Sequence, residues 1–102
     1  MDAYTNWASA LSRQGKSDEA IAKCKRALQL DPKCADAYDT WGVALVAKSD
    51  PSEAIRKFGK AIDLNPNFIQ AYINWAAVLE MLGKHSEAEE RLANAPKPLI
   101  AK

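Results

Sequence analysis

The sequence predicts an all-α solenoid of three helix-turn-helix units, and three observations carry that prediction. Trp7, Trp41 and Trp75 recur 34 residues apart in a chain of 102 residues, a period within the range of stacked repeat architectures. Other positions recur at the same interval: Ala3-Tyr4, Ala37-Tyr38 and Ala71-Tyr72 precede each tryptophan, and Ala8, Gly42 and Ala76 follow it. Leu11, Leu45 and Leu79, the pairs Glu19-Ala20, Glu53-Ala54 and Glu87-Ala88, and Ala27, Ala61 and Ala95 keep the same spacing. Each copy also reads as two amphipathic segments separated by turn residues. The expected units are residues 1–34, 35–68 and 69–102, the last degenerate at its C-terminal end, together one domain.

In the first unit, Ala3, Tyr4, Trp7, Ala8, Ala10 and Leu11 fall at helical spacing within residues 2–14 and gather on one face. Gly15 stops that helix, because glycine takes the left-handed conformation of a C-terminal cap without steric cost. Ser17 is the expected cap of the next helix, with Asp18 and Glu19 placed where the helix dipole favours negative charge. That helix is expected to run to about Leu30. Asp31-Pro32, and Asn65-Pro66 one unit later, end the second helices, since proline lacks a backbone donor and restricts the residue before it.

The internal turn of the second unit reads Ser49-Asp50-Pro51-Ser52-Glu53. Asp50 is the expected cap, Pro51 the first helical residue and Glu53 the partner in a capping-box spacing. Ser49 stands where the other units have Gly15 and Gly83, a departure that a short turn can absorb. The third unit changes midway: Glu89 replaces Ile21 and Ile55, Pro96 replaces Leu28 and Ile62, and Ile100 replaces Pro32 and Pro66. Its last helix is expected to stop near Asn94 or Ala95. A glutamate at a formerly apolar position reads as a face turned to water and the end of an array.

A formal charge of +1 from 14 basic and 13 acidic residues gives no electrostatic signature of nucleic-acid or membrane binding. No apolar run approaches the roughly 20 residues that a membrane-spanning helix needs, and the N-terminus lacks a secretory-leader pattern, so the expected location is cytoplasmic. Cys24 and Cys34 are ten residues apart with poor geometry for a bridge and without zinc-ligand spacing, and are read as reduced thiols.

The small residues at helix crossings, the aromatic gap-fillers and the junction prolines resemble those of tetratricopeptide repeat proteins, over the whole chain. The signature positions hold Tyr4, Trp7, Ala8, Leu11, Ala20, Cys24, Ala27 and Pro32. The second copy has Tyr38, Trp41, Gly42, Leu45, Ala54, Phe58, Ala61 and Pro66, and the third keeps Tyr72, Trp75, Ala76, Leu79, Ala88, Leu92 and Ala95 before departing. The tryptophans are accordingly expected in the core. The resemblance implies a short right-handed superhelix whose first helices line a concave groove that binds a peptide or helix of a partner protein.

By that resemblance the groove presents Asp2, Thr5, Asn6, Ser9, Ser12 and Arg13 from the first unit and Asp36, Asp39, Thr40, Val43 and Val46 from the second. Gln70, Ile73, Asn74, Ala77, Glu80 and Met81 complete it. Asn6 and Asn74 occupy equivalent places, similar to the asparagine ladder in the repeat region of O-linked N-acetylglucosamine transferases, interrupted here at Thr40. An amide that both donates and accepts can grip a peptide backbone; the alternative is that asparagine is simply common at this place. Co-chaperones of the family that bind the C-terminal carboxylate of heat-shock proteins use cations and asparagines where this chain has Thr5, Ser9, Thr40, Gln70 and Asn74. Without cationic donors a carboxylate is poorly held, and no such binding is expected. Val43, Val46, Ile73, Ala77 and Met81, with Asp36, Asp39 and Glu80 around them, instead fit a segment carrying apolar and basic residues, unless neighbouring helices shield several of them.

The sequence offers no chemistry for catalysis. His85 is the sole histidine and falls at a turn, no glycine-rich phosphate loop is present, and Glu19, Glu53 and Glu87 recur near helix starts where a dipole role explains them. Neither an enzyme, a cofactor nor a metal is expected. Lys23, Lys25 and Arg26, then Arg56, Lys57 and Lys60, gather on the second helices. They read as a solvated face without an aromatic platform rather than a nucleic-acid site, interrupted by Glu89 and Glu90. The second functional expectation is self-association through exposed array ends, because Pro98-Leu99-Ile100 covers only part of the last hairpin.

Overall fold

The computed structural model describes residues 3–96, and among them every regular element is a helix: α1 Ala3–Arg13, α2 Ser17–Leu30, α3 Ala35–Ala47, α4 Pro51–Leu64, α5 Ile69–Met81 and α6 His85–Asn94. Asp2 and Pro98-Leu99-Ile100 lie outside the described residues. The second helices of the three hairpins begin at Ser17, Pro51 and His85, one period apart.

The three hairpin turns share one geometry. Lys16, Asp50 and Lys84 donate their backbone N–H to Leu11, Leu45 and Leu79 at 2.9, 2.9 and 2.8 Å. The residue before each sits in the left-handed region, with φ of +81° at Gly15, +65° at Ser49 and +78° at Gly83. This is the Schellman closure, which satisfies carbonyls orphaned at a helix end. Ser49 adopts it without glycine's freedom, so the turn tolerates the substitution at a conformational cost.

Helix starts correct one expectation. Ser17 is the first helical residue rather than the cap; Lys16 holds the cap position and makes no side-chain cap hydrogen bond. The Asp50 carboxylate does cap α4, accepting from the Glu53 N–H at a long 3.4 Å, with Pro51 in the first turn. The Glu53 side chain faces Arg56 and Lys57 at 3.6 and 3.7 Å. At the junctions, Asp31 and Asn65 are extended, and their side chains accept from the N–H groups of Lys33 and Asn67 at 3.1 and 3.2 Å, folding the chain around each proline.

Each helix packs on the next in order. The first helices of successive hairpins also approach one another, α1 on α3 and α3 on α5, while among the described residues no comparable approach joins α2 to α4 or α4 to α6. Hairpins closer along one layer than the other must stack in a curve, and the first helices therefore form its inner layer. Alanines fill the crossings: Ala8, Ala20, Ala27, Ala37, Ala54, Ala61, Ala71 and Ala88 are fully buried. The larger core residues complement them by size. Ala8 packs in the same cluster as Cys24, whereas Gly42 faces Phe58 so closely that a Cβ there would lie 2.5 Å from the ring.

The tryptophans, expected in the core, divide: Trp41 and Trp75 pack against the buried clusters, and Trp7 does not. Trp7 is 51% exposed, and Trp41 and Trp75 are half-buried. The inner two lie at the joints between hairpins: Trp41 shares a core cluster with Ile21 of the preceding second helix and has Lys25 5.6 Å from its ring centre, and Trp75 shares one with Ile55 and lies so near Gly59 that a Cβ there would be 3.5 Å from the ring. Their burial depends on that preceding helix, and no described helix precedes α1. Cys24 and Cys34 are both buried.

Candidate functional site

A cleft of about 310 Å³ opens between α3 and α5 on the inner layer. Val43, Val46 and Ala47 supply one wall, Ala77, Val78 and Met81 the other, with Phe58 behind them and Asn74 at one edge. The wall residues recur at helical spacing, so each helix turns one stripe toward the opening. Val43, Ala77 and Met81, like Ile73 beside them, are exposed and Val46 is half-buried, so neighbouring helices do not cover the apolar patch.

A polar chain runs along its edge. The Gln70 amide donates to Asn74 Oδ1 at 3.0 Å, and Asn74 Nδ2 donates to Asp39 Oδ1 at 2.9 Å, tying α5 to α3. Asp39 is buried. Desolvation pushes its carboxyl up to about 6, the Asn74 hydrogen bond works in the opposite direction, and the nearby Asp36 charge adds to the rise. Above that pH the site holds a carboxylate shielded from water, which favours a cationic or hydrogen-bond-donating neighbour.

The residues expected in the groove divide into groups. Val43, Asn74, Ala77 and Met81 line the cleft, Gln70 and Asp39 are joined to it through their hydrogen bonds with Asn74, Ile73 is exposed on α5, and Asp36 and Thr40 are half-buried on α3. Thr5 is buried instead of facing the groove, its hydroxyl 3.6 Å from the Cys34 sulfur, because α1 leans on the next hairpin there. Asp39 is likewise buried at the α3–α5 contact rather than free on the surface. Ser9 and Arg13 on α1 bond one another at 3.3 Å, and Asn6 is exposed. Glu80 pairs with His85, the first residue of α6. Asn74 keeps one N–H and one lone pair beyond its bonds to Asp39 and Gln70.

Phe58, Ala47 and Val78 were not among the expected groove residues. Their signal was the bulk of Phe58 at a position holding Cys24 and Leu92 elsewhere, which reads as packing and says nothing of a cleft. The expected lack of an aromatic platform on the basic face is also corrected. Lys23 lies 3.9 Å from the Trp7 ring centre, Lys57 4.0 Å from that of Trp41 and Arg91 3.9 Å from that of Trp75. These cations sit at one repeat position and cover indoles. A second cleft of about 410 Å³ beside Trp41 contains Lys25, Lys48, Lys57, Asp18 and Glu53; Lys48 pairs with Asp18 and Lys57 with Glu53, while Lys25 lies 5.6 Å from the Trp41 ring centre.

Among the described residues no three His, Cys, Asp or Glu side chains come together as a metal site, and no helix is long and apolar enough to cross a membrane.

A curved stack of helical hairpins with an open cleft on its inner layer defines an α-solenoid. Tetratricopeptide repeat family models match residues 2–34 and 45–98, and the chain belongs to that family. Similar solved structures include MamA, with 28% identity over 89% of this chain and a TM-score of 0.81, and MamA from Desulfovibrio magneticus RS-1, with 20% identity over 88% and a TM-score of 0.81. This chain spans about half of each, 53% and 51%. The second tetratricopeptide domain of Spaghetti (RPAP3), solved with the HSP90 peptide SRMEEVD, matches at 21% identity over 89% of this chain and 84% of its own length, with a TM-score of 0.81. No curated protein matches the sequence significantly.

Proposed function

We propose that this chain is a protein-interaction module that takes a partner segment into the α3–α5 cleft, and that the segment presents apolar side chains followed by a basic one. The observation that carries this reading is the open apolar cleft with the Asp39 carboxylate at its edge. The apolar walls supply affinity by losing water, and Asp39 with Asp36 selects a lysine or arginine over an acidic side chain. Curved solenoids of other kinds use the inner layer in the same way.

The peptide-backbone grip by an asparagine ladder is the weaker reading, since Asn74 is engaged with Asp39 and Gln70 and only Asn6 is exposed. The acidic peptide bound by the RPAP3 domain is a useful opposite. Thr5, Ser9, Thr40, Gln70 and Asn74 carry no positive charge to receive its carboxylates.

The test is a titration followed by NMR, with a helical peptide carrying leucines and a lysine at helical spacing set against SRMEEVD. The basic apolar peptide is expected to shift the Asn74 side-chain amide and the methyls of Val43 and Met81, and Met81→Glu is expected to weaken it at least tenfold with unchanged helicity. Micromolar binding of SRMEEVD, or shifts confined to α2, α4 and α6, would overturn the assignment.

A further inference from the structure

On the outer layer a wedge opens at the joint between the first and second hairpins, because α1 approaches α3 while α2 and α4 do not meet. The cleft of about 410 Å³ lies in that wedge, between two hairpins that are both described. Its floor is apolar, made by Ile21, Ala22, Trp41 and Leu45. Three lysines and two carboxylates stand around it.

Those charges do not cancel. Lys48 pairs with Asp18, and the Glu53 carboxylate is shared between Lys57 at 3.7 Å and Arg56 at 3.6 Å. Lys25 pairs with no carboxylate among the described residues. The Lys57 side chain is only 18% exposed and holds its ammonium 4.0 Å from the Trp41 ring centre, so it is in place before any ligand arrives. Lys25 reaches the same ring from α2 at 5.6 Å. Two ammoniums brought to one indole repel each other, and a carboxylate beside them relieves that repulsion.

The joint one repeat later shows that ordinary packing does not require this arrangement. There Ile55, Trp75 and Arg91 keep the places of Ile21, Trp41 and Lys57, whereas Gly59 stands for Lys25 and Leu82 for Lys48. Trp75 is nonetheless half-buried, with Arg91 3.9 Å from its ring centre. Lys25 and Lys48 are therefore additions to the first joint that its closure does not explain.

We propose that this outer cleft docks an acidic amphipathic helix of another protein, with an aliphatic side chain on the Ile21 and Leu45 floor and a glutamate or aspartate one turn away at Lys25 and Lys57. Helix α2 presents Ile21 and Lys25 four residues apart, so a helix beside it with an apolar residue and a carboxylate at the same spacing meets both. Trp41 is half-buried and already engaged by cations, which makes it a poor platform for a nucleic-acid base, and the apolar floor has no complement in a sugar-phosphate backbone. The site lies on the opposite layer from the α3–α5 cleft, prefers the opposite charge, and stands whether or not the reading of that cleft holds.

The probe is a synthetic helix carrying leucine and glutamate four residues apart on one face, set against the same helix with lysine in place of glutamate. Added to the whole chain, the acidic helix is expected to shift the indole N–H resonance of Trp41 and leave that of Trp75 in place, and the basic helix to leave both. SRMEEVD has the charges but is too short to hold a helix, and should bind here at least tenfold more weakly than the acidic probe. Lys25→Gln, a change at an exposed residue, should weaken the acidic helix at least tenfold with unchanged helicity. Lys60→Gln removes an exposed lysine of α4 outside the cleft and should alter affinity less than twofold. Equal losses in the two variants would reduce the attraction to net charge and overturn the proposal. So would shifts centred on Asn74 and Val43, or equally tight binding of an oligonucleotide of matched charge. Light scattering of the chain alone tests one more occupant: self-association that Lys25→Gln abolishes would give the cleft to a second copy and overturn the assignment to another protein.

Discussion

The joint around Trp41 and the edge around Trp7 are built from the same residue types, and they differ in what lies on their far side. At the joint, α2 supplies Lys25 over the indole and Ile21 in the same core cluster; at the edge no described second helix does so, and the equivalent residue is 51% exposed. The repeat pattern therefore determines where each tryptophan points, whereas the neighbouring repeat determines whether it stabilises the fold. A residue shared by all three copies need not contribute equally in each.

The largest contrast should come from the tryptophans themselves. Trp41→Ala removes a ring packed from two hairpins and should cost about 3 kcal/mol, while Trp7→Ala should cost less than about 1 kcal/mol. Thermal unfolding of the two variants measures both, and equal losses would mean that the edge is as tightly held as the joint.

The α3–α5 contact should respond to pH. Because the Asp39 carboxyl is raised from 3.8 to about 6, the folded chain holds a proton between those values that the unfolded chain has released. Stability should therefore fall as pH rises from about 4 to 6 and level off above it. A shift of about two units corresponds to roughly 2–3 kcal/mol. Asp39→Asn keeps a side-chain acceptor for Asn74, and is expected to raise the melting temperature at pH 7.5 and flatten the pH dependence in that window. Denaturant unfolding at pH 4, 5, 6 and 7.5 reads both effects.

A smaller effect is expected inside the second hairpin. Gly42→Ala drives a methyl into the Phe58 ring and should cost about 1–3 kcal/mol. The smallest concerns the turns: Ser49→Gly relieves a left-handed serine and should add roughly 0.5–1 kcal/mol. Both are melting-temperature measurements against the wild-type chain, and a neutral Gly42→Ala would show that Phe58 moves aside at no cost.

Helix positions were legible because their signals are local. Gly15, Gly83, Pro32, Pro66 and the Asp50-Pro51 start each fix a backbone state over two or three residues, so the ends of α2, α4 and α6 fall where the sequence places them. Ser17 was misread because a serine before an acidic pair fits either the cap or the first turn, and the Schellman closure at Leu11 and Lys16 decides between them. The site was less legible. Thr5 and Asp39 lie off the apolar stripe of their own helix, which implies exposure, yet each faces the following repeat, where packing of first helix against first helix covers it. The same limit applies to Trp7, since periodicity assigns a face to a residue without stating what lies opposite. The cations over the indoles were present in the sequence as Lys23, Lys57 and Arg91 at one period, but only their placement across the hairpin links them to the tryptophans.

The fit of Gly42 to Phe58 also limits recombination. A chimera that moved the first helix of the opening unit into the middle one would set the Ala8 methyl against a full-sized ring, and the reverse exchange would leave a void beside Cys24. Units that look interchangeable on paper are matched in pairs of helices, so shuffling or consensus engineering of this array should transplant whole hairpins rather than single segments.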